Sequence, residues 1–178
     1  MTRPERPVPV LETARLRLRP RTPDDAEALF PTLADPELMR WWSHAPHRSV
    51  EETRADFARA DDNWRCWAAT PAGGDRAIGF VAVGEKRQGN VSEIAYLFTR
   101  GAGGRGLATE AVAAVIDRLF AEGQRRVFAD TDPDNARSRA LLERLGFRLE
   151  GMLRAEWETH IGVRDTALYG LLRDEWRV

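Results

Sequence analysis

A glycine-rich segment, YLFTRGAGGRGLATEA at residues 96–111, connects an apolar run to a stretch with helical periodicity. Apolar residues dominate positions 91–98, and the apolar positions between Ala108 and Phe120 recur at the spacing of one helix face. Glycine at a strand-to-helix turn lets several backbone N–H groups converge on an anion at the positive end of the helix. The segment therefore predicts a phosphate-binding loop, the simpler alternative being a glycine-rich turn without a ligand.

The spacing Gly101-x-Gly103-x-x-Gly106 also matches a dinucleotide-binding fingerprint, with Asp130 as the carboxylate for a ribose. The neighbouring segments argue against that interpretation. Three strand-like segments joined by short, turn-rich connections precede the loop, which predicts antiparallel hairpins instead of parallel strand–helix–strand units. No Lys-Ser/Thr pair follows the glycines, which excludes a nucleoside-triphosphate P-loop. The loop is predicted to bind another kind of phosphate.

The order of the remaining elements predicts the fold class. Proline residues 31 and 36 are expected to break the helical run at 22–42 into short pieces, and Ser49 with Glu52 predicts a capping box at the start of a second helix. Gly146 is expected to end the helix that begins near residue 135. Strands are predicted at 15–20, 66–70, 77–83, 91–98, 125–130, 147–158 and 163–176. The chain is thus expected to be one α/β (α+β) domain, residues 1–178, whose mixed, mostly antiparallel sheet of about seven strands is flanked by helices.

Composition limits the partners and the compartment. The net charge of -1 argues against a general nucleic-acid binder, and no apolar run approaches the roughly 20 residues that span a bilayer. One cysteine, Cys66, and an N-terminus without an apolar signal core favour the cytoplasm. Residues 22–62 carry ten Asp or Glu against four Arg. This acidic segment is either a solvated face or a feature that attracts a cationic substrate.

The segments EIAYLFTRGAGGRGLATEA and DNARSRALLERLGF closely resemble the GNAT superfamily of N-acetyltransferases, in particular its RimJ/RimL-like branch. The resemblance extends from LETARLRLRP to ALYGLLRDEW and is looser between residues 23 and 65. It implies a GNAT-type fold, acetyl-CoA as co-substrate, no metal, and direct transfer of acetyl to a primary amine. The amine acceptor would be a protein N-terminus, such as that of a ribosomal protein, or a small cationic amine. A homodimer is expected by analogy alone.

The resemblance also assigns cofactor contacts. The first position of the family loop, Gln or Arg in many members, is Gly103 here, which removes one side-chain contact and leaves the backbone cradle. The resemblance places the pantetheine arm along Leu97, Phe98 and Thr99, where the fourth and fifth predicted strands, at 91–98 and 125–130, would separate and admit the cofactor. Backbone N–H groups near Leu97 and Phe98 would polarise the thioester carbonyl. Asn135 corresponds to an asparagine that binds pantetheine, and its alternative role is to cap a helix. The residues that would hold the cofactor are Leu97, Phe98, Thr99, Gly104, Arg105, Gly106, Leu107, Ala108, Thr109 and Asn135.

Two catalytic residues are expected from the resemblance. Glu93 is the candidate general base, directly or through a water, and its alternative is an ordinary surface carboxylate on a sheet. Many relatives have a tyrosine that acts as the general acid seven residues after the asparagine, where this chain has Leu142. Ser138, on the same helical face as Asn135, is therefore the candidate proton donor, and its alternative is simple packing. Cys66 is expected to be a core residue.

The acceptor is expected to contact Trp41, Trp42 and Tyr96. An aromatic ring beside acidic residues could hold a cationic amine. His44 and His47 have too few neighbouring ligands for a metal site. The main alternative function is a sensor that binds acyl-CoA without turnover, which the loss of the usual tyrosine at Leu142 favours slightly.

Overall fold

The computed structural model describes residues 7–59, 64–85 and 89–176. Their strands form one sheet in the order β1-β2-β3-β4-β5-β6-β8-β7. All neighbouring strands in it are antiparallel except β5 and β6. The strands are β1 Leu11–Glu12, β2 Leu16–Pro20, β3 Trp64–Pro71, β4 Gly79–Gly84, β5 Val91–Phe98, β6 Arg126–Thr131, β7 Arg148–Thr159 and β8 Gly162–Leu172. The mixed, mostly antiparallel sheet is confirmed, and the short β1 brings the strands to eight instead of about seven.

Four α-helices in the described ranges flank the sheet. They are α1 Ala26–Leu33, α2 Val50–Ala58, α3 Leu107–Ala121 and α4 Ala136–Arg144. The α4 helix ends as expected, because Gly146 follows its last turn with φ of +85°. No helix in the described parts of the chain is both long and apolar enough to cross a membrane.

The first two helices differ from the prediction in detail. Pro31 lies inside α1 and does not break it. Proline removes the hydrogen bond to the carbonyl four residues earlier and crowds that carbonyl, but here it belongs to Glu27, an exposed residue in the first turn, where the carbonyl can turn to solvent. At α2, the Ser49 hydroxyl accepts from the Glu52 N–H at 3.1 Å, as a capping residue does. The Glu52 carboxylate accepts from the N–H of Arg48 instead of Ser49, at 2.7 Å, so the capping box reaches one residue further than expected.

The sheet buries a different set of helices on each face. On one face, α3 contributes Val112 and Val115 to a core that includes Val81 and Val127 of the strands. On the other face, Leu29 of α1 and Phe57 of α2 pack in a second core with Phe80 and Leu97. Successive strand residues point to opposite faces. Tyr96 and Phe98 therefore lie on the α3 and α4 side, whereas Leu97 lies on the α1 and α2 side.

The two parallel strands separate shortly after they meet. Only the residues from Val91 to Glu93 in β5 pair with β6, opposite Arg126 to Phe128. Beyond Glu93, β5 continues to pair with β4 and β6 continues to pair with β8. A wedge-shaped gap thus opens toward the carboxyl ends of β5 and β6. This confirms the separation of these two strands that the family resemblance implies.

Candidate active site

The glycine loop presents a row of free backbone donors beside this gap. Gly104 and Gly106 have φ of +72° and +73°, a conformation that side-chain-bearing residues adopt with strain. The first bond into α3 runs from the Glu110 N–H to the Gly106 carbonyl, and no side chain caps the helix. Within the described residues, the N–H groups of residues 104–109 have no backbone acceptor. An α3 N-terminus with free N–H groups is suited to binding an anion.

The back of the loop is tied to the start of β2 by residues that the sequence analysis did not identify. Glu110 accepts from the Thr13 hydroxyl at 2.6 Å and from the Arg15 Nε at 2.6 Å. The Arg15 Nη1 also donates to the carbonyl of Arg105 at 2.8 Å. Burial alone would raise the pKa of Glu110, but the bonds from Thr13 and Arg15 outweigh it and lower that pKa. Arg15 therefore links a carboxylate in the first turn of α3 to the backbone of the glycine loop.

The backbone of β5 offers hydrogen-bonding groups to the gap at alternate residues. The Thr99 N–H donates to the Ile78 carbonyl at 2.9 Å, and the same register pairs Leu97 with Phe80. In an antiparallel pair, hydrogen-bonded residues alternate with residues whose N–H and C=O point away from the partner. Those of Tyr96 and Phe98 therefore point toward β6. Of Leu97, Phe98 and Thr99, which the resemblance places beside the cofactor, Phe98 turns its backbone groups to the gap. Those of Leu97 and Thr99 face Phe80 of β4 and Ile78 just before it.

Tyr96 of β5 and Ser138 of α4 are in contact beside the gap. Their hydroxyl oxygens are 2.9 Å apart, within hydrogen-bond distance. Burial raises the pKa of Tyr96 to about 12, against a smaller opposite effect of the bond to Ser138. Tyr96 therefore stays protonated near neutral pH. Tyr96 is predicted from the sequence to contact the acceptor and Ser138 to donate a proton, and the bond between them is a feature that only the fold reveals.

The Tyr96–Ser138 bond can be tested through stability. Replacing Tyr96 by Phe or Ser138 by Ala is expected to lower the free energy of unfolding by about 1 kcal/mol each, as for a typical hydrogen bond. Because both substitutions remove the same bond, the double variant is expected to lose less than the sum. Urea denaturation of the four proteins measures this. Losses that add fully would show that the hydroxyls do not interact.

The α4 helix determines the positions of Asn135, Ser138 and Leu142. Asn135 caps the helix, since its Oδ1 accepts from the Ser138 N–H at 3.2 Å. The capping role is thus observed, and a contact with pantetheine stays a prediction. Leu142, which occupies the position of the usual tyrosine, is completely buried in the core. Ser138 lies one turn earlier and is only half-buried, so it can reach a ligand that Leu142 cannot.

Glu93 lies at the closed end of the gap, where β5 and β6 begin to separate, and we call this point the vertex. It is the last residue of β5 that pairs with β6, opposite Phe128, and it is half-buried. The alternation of side chains places it on the same face as Leu97, which is the face of α1 and α2. A carboxylate here can accept a proton from an amine that approaches from that face. The role of Glu93 as base stays a prediction.

A cleft of ≈ 490 Å³ lies at the carboxyl ends of the two separating strands, and we call it the strand-end cleft. Its lining residues are Pro36, Glu37, Arg40, Pro46, His160, Ile161 and Arg164. Arg100, just after β5, donates to Glu37 at 2.8 Å, and Asp132, just after β6, accepts from Arg164 at 2.7 Å. These bonds place the cleft between the α1–α2 loop, residues 34–49, and the β7–β8 hairpin.

The two tryptophans of the α1–α2 loop have different surroundings. Trp42 packs against Phe80 with ring centres 5.9 Å apart, and its carbonyl is bonded to His160 Nδ1 at 3.1 Å. The ring of Trp41 lies 4.9 Å from the Arg40 guanidinium and 5.9 Å from that of Arg164. Trp41 is thus surrounded by cations, whereas a cationic amine would require carboxylates. Contact of either ring with an acceptor stays a prediction.

Most carboxylates of the acidic segment pair with arginines. Asp25 pairs with Arg19 at 2.8 Å, and Glu27 pairs with Arg54 at 3.3 Å. Asp35 and Glu37 share Arg100, and burial only partly offsets the effect of this arginine, which lowers the pKa of Asp35. These pairs reduce the negative potential that the sequence implies for the segment.

His44 and His47 stack on each other with ring centres 5.2 Å apart. His47 Nδ1 is bonded to the Thr53 hydroxyl at 2.8 Å, and burial together with His44 lowers the pKa of His47. Asp130, the ribose carboxylate of the dinucleotide alternative, accepts from the Trp157 indole at 2.7 Å. Among the described residues, no group of three or more His, Cys, Asp or Glu is arranged to hold a metal.

Comparisons with known proteins agree with this geometry. The family described as "Acetyltransferase (GNAT) domain" matches residues 15–148. The chain is 30% identical to an uncharacterized N-acetyltransferase p20 of Bacillus licheniformis over 93% of this chain and 97% of that protein. A probable acetyltransferase of the GNAT family from Chromobacterium violaceum has the same fold, with a TM-score of 0.89, 26% identity, and coverage of 96% of this chain and 89% of that one.

Mycobacterium smegmatis RimJ, solved in complex with CoA-disulfide, is similar with a TM-score of 0.81 and 25% identity, over 94% of this chain and 88% of that one. The family match covers well over half of the chain, including the loop, the gap and both candidate catalytic residues. The chain therefore belongs to the GNAT family of acetyltransferases.

Proposed function

We propose that the protein is an acetyl-CoA-dependent N-acetyltransferase of the RimJ/RimL-like branch that acetylates a primary amine in the cytoplasm. The observation that carries the proposal is the row of free N–H groups at residues 104–109 beside a gap between two parallel strands. Its likeness to RimJ, a protein solved with CoA-disulfide, supports both the branch and the ligand. The acceptor is either a protein N-terminus or a small amine.

The residues present fit coenzyme A. The N–H groups of residues 104–109 would bind its pyrophosphate, because a Cβ added at Gly104 would meet no atom within 4 Å and the loop is open there. The outward backbone groups of Phe98 would pair with the pantetheine amides, and Asn135 would add a side-chain contact. Acetyl-CoA supplies an acetyl group activated as a thioester.

The chain's own residues would remove a proton from the amine and stabilise the sulfur that departs as a thiolate, whose pKa is only about 8.5. An alkyl ammonium has a pKa of about 10 and a chain N-terminus about 8, so the acceptor must lose a proton before it attacks. Glu93 would receive that proton on its carboxylate, directly or through a water. Ser138 would donate a hydrogen bond to the departing sulfur. The bond from Tyr96, which remains protonated, would orient the Ser138 hydroxyl for this role.

A thiol-release assay with acetyl-CoA tests the proposal. The acceptor panel would hold N-terminal peptides of ribosomal proteins, free amino acids, polyamines and aminoglycosides. Release above the acceptor-free background with one class is expected and would identify the acceptor. Binding of coenzyme A by calorimetry without release for any acceptor would instead indicate a sensor. Absence of coenzyme A binding would contradict the assignment of the glycine loop.

Arg15 is expected to support cofactor binding indirectly, by fixing the backbone of the glycine loop on the side that faces β2. Replacing Arg15 by Gln removes its bonds to Glu110 and to the Arg105 carbonyl, so the loop is held less firmly. We expect the Kd for coenzyme A, measured by calorimetry, to rise about tenfold. The matched control is Arg17→Gln, two residues further along in β2, which breaks an exposed pair with Glu12 of β1 at 3.2 Å. An equal change of Kd in both variants would contradict this role.

A further inference from the structure

We propose that Arg40 selects acceptors that carry a carboxylate near the reacting amine, such as free amino acids, over polyamines and amides. The inference rests on the proposed function and narrows its acceptor class. The strand-end cleft has a volume of ≈ 490 Å³, within the range of small-molecule sites. It lies at the carboxyl ends of β5 and β6, where the gap is open, because its residues Glu37 and Arg164 bond to Arg100 and Asp132 just after these strands.

The charged side chains that line the cleft differ in whether they already form an ion pair. Glu37 is bound by Arg100 at 2.8 Å. Arg164 donates to both oxygens of Asp132, at 2.7 and 3.0 Å, and also to Asp134. The positive charges of these two arginines are therefore already matched by carboxylates.

Arg40 is the charged side chain of the cleft that remains available. Among the described residues it has no carboxylate within 4.0 Å, and its guanidinium lies only against the Trp41 ring at 4.9 Å. Its charge does reach Asp132, where it is the smallest of the causes that lower the pKa of that carboxyl. Both oxygens of Asp132 are nevertheless occupied by Arg164. An exposed guanidinium beside a cleft can bind a substrate carboxylate through two parallel hydrogen bonds.

The surroundings also disfavour polycations. The guanidinium groups of Arg40 and Arg164 flank Trp41, and the nearby carboxylates Asp35 and Glu37 are held by Arg100. A polyamine in the cleft would face these cations and would have to displace an existing ion pair. An amino acid would instead place its carboxylate on Arg40 and direct its amine into the open end of the gap.

The test uses matched acceptors, namely free amino acids and the same amino acids as carboxamides. We expect wild-type protein to have the higher kcat/KM for the free amino acids. Arg40→Gln should lower that value about 10- to 100-fold, as for the loss of a hydrogen-bonded charge partner, and change the carboxamide value less than about threefold. Comparing variant with wild type for each acceptor removes the difference in amine pKa. Arg40→Lys, which keeps the charge but loses the planar fork, should give an intermediate loss.

The matched control is Arg48→Gln, an exposed arginine in the same loop that pairs with Glu52 at 3.4 Å, and it should leave both acceptor classes unchanged. An equal loss for acids and amides in Arg40→Gln would overturn the inference. Release with carboxamides or polyamines alone would also overturn it and leave the proposed function standing. Bound coenzyme A with no release for any acceptor would overturn the proposed function itself.

Discussion

Replacing Glu93 by Gln is expected to lower kcat for amine acetylation by about 10²- to 10⁴-fold, the usual contribution of a general base. The two side chains have nearly the same shape, so the packing at the vertex of the gap should persist. The amide cannot accept the proton of an ammonium group. Because the glycine loop is separate from this residue, the Kd for coenzyme A should stay within about twofold of the wild-type value.

Two measurements separate the role of Glu93 from a structural one. Thiol release should be followed from pH 6 to pH 10, and the variant should recover part of its rate as the acceptor amine, with a pKa of about 8 to 10, deprotonates in solution. Calorimetry gives the Kd for coenzyme A. Glu158→Gln, an exposed carboxylate on β7, is the control and should match wild type. An unchanged kcat in Glu93→Gln would exclude this residue as the base.

Replacing Gly104 by Ala is expected to weaken coenzyme A binding tenfold or more, as for the loss of a hydrogen bond to a charged group. Alanine disfavours the φ of +72° at this residue, so the backbone shifts and its N–H no longer points to the anion. The new methyl group also projects into open space beside the loop. The strain itself should lower the free energy of unfolding by about 1 to 2 kcal/mol.

Gly73 offers a close control for this experiment. It lies in the turn between β3 and β4, has φ of +80°, and a Cβ there would also meet no atom within 4 Å. Gly73→Ala should therefore lose a similar free energy of unfolding and keep its affinity for coenzyme A. Urea denaturation and calorimetry on both variants measure the two effects. Equal affinity losses would mean that binding responds only to stability, and that the glycine loop is not the phosphate site.

Local sequence signals predicted the elements around the glycine loop. The α3 helix begins at Leu107, directly after the glycines, and its apolar residues face the core as their spacing indicates. The end of α4 follows from Gly146, because few other residues adopt a positive φ without strain. The gap between β5 and β6 was implied by the resemblance to the family, since the pairing of parallel strands leaves no local pattern.

The contacts that shape the site could not be predicted in the same way. Arg15 and Glu110 are 95 residues apart, and Tyr96 and Ser138 are 42 apart, so only the folded chain brings them together. The acidic segment illustrates the same limit. Its composition implied attraction of cations, whereas the fold assigns an arginine to most of its carboxylates. The sequence shows which charges are present, but long-range packing determines which of them remain available.

The short parallel pairing of β5 and β6 has a consequence for how long the protein survives. It divides the sheet into a five-stranded part, β1 to β5, and a three-stranded part, β6 to β8, which share only three residue pairs within the described sheet and are otherwise joined by packing through α3 and α4 and by loop contacts. A ligand that occupies the gap joins both parts, and it stabilises the folded chain in proportion to the logarithm of its concentration over its Kd. The rate at which the protein is degraded in the cell would then depend on the supply of coenzyme A. In cells depleted of coenzyme A, the short β5–β6 pairing would open more often and become accessible to proteases.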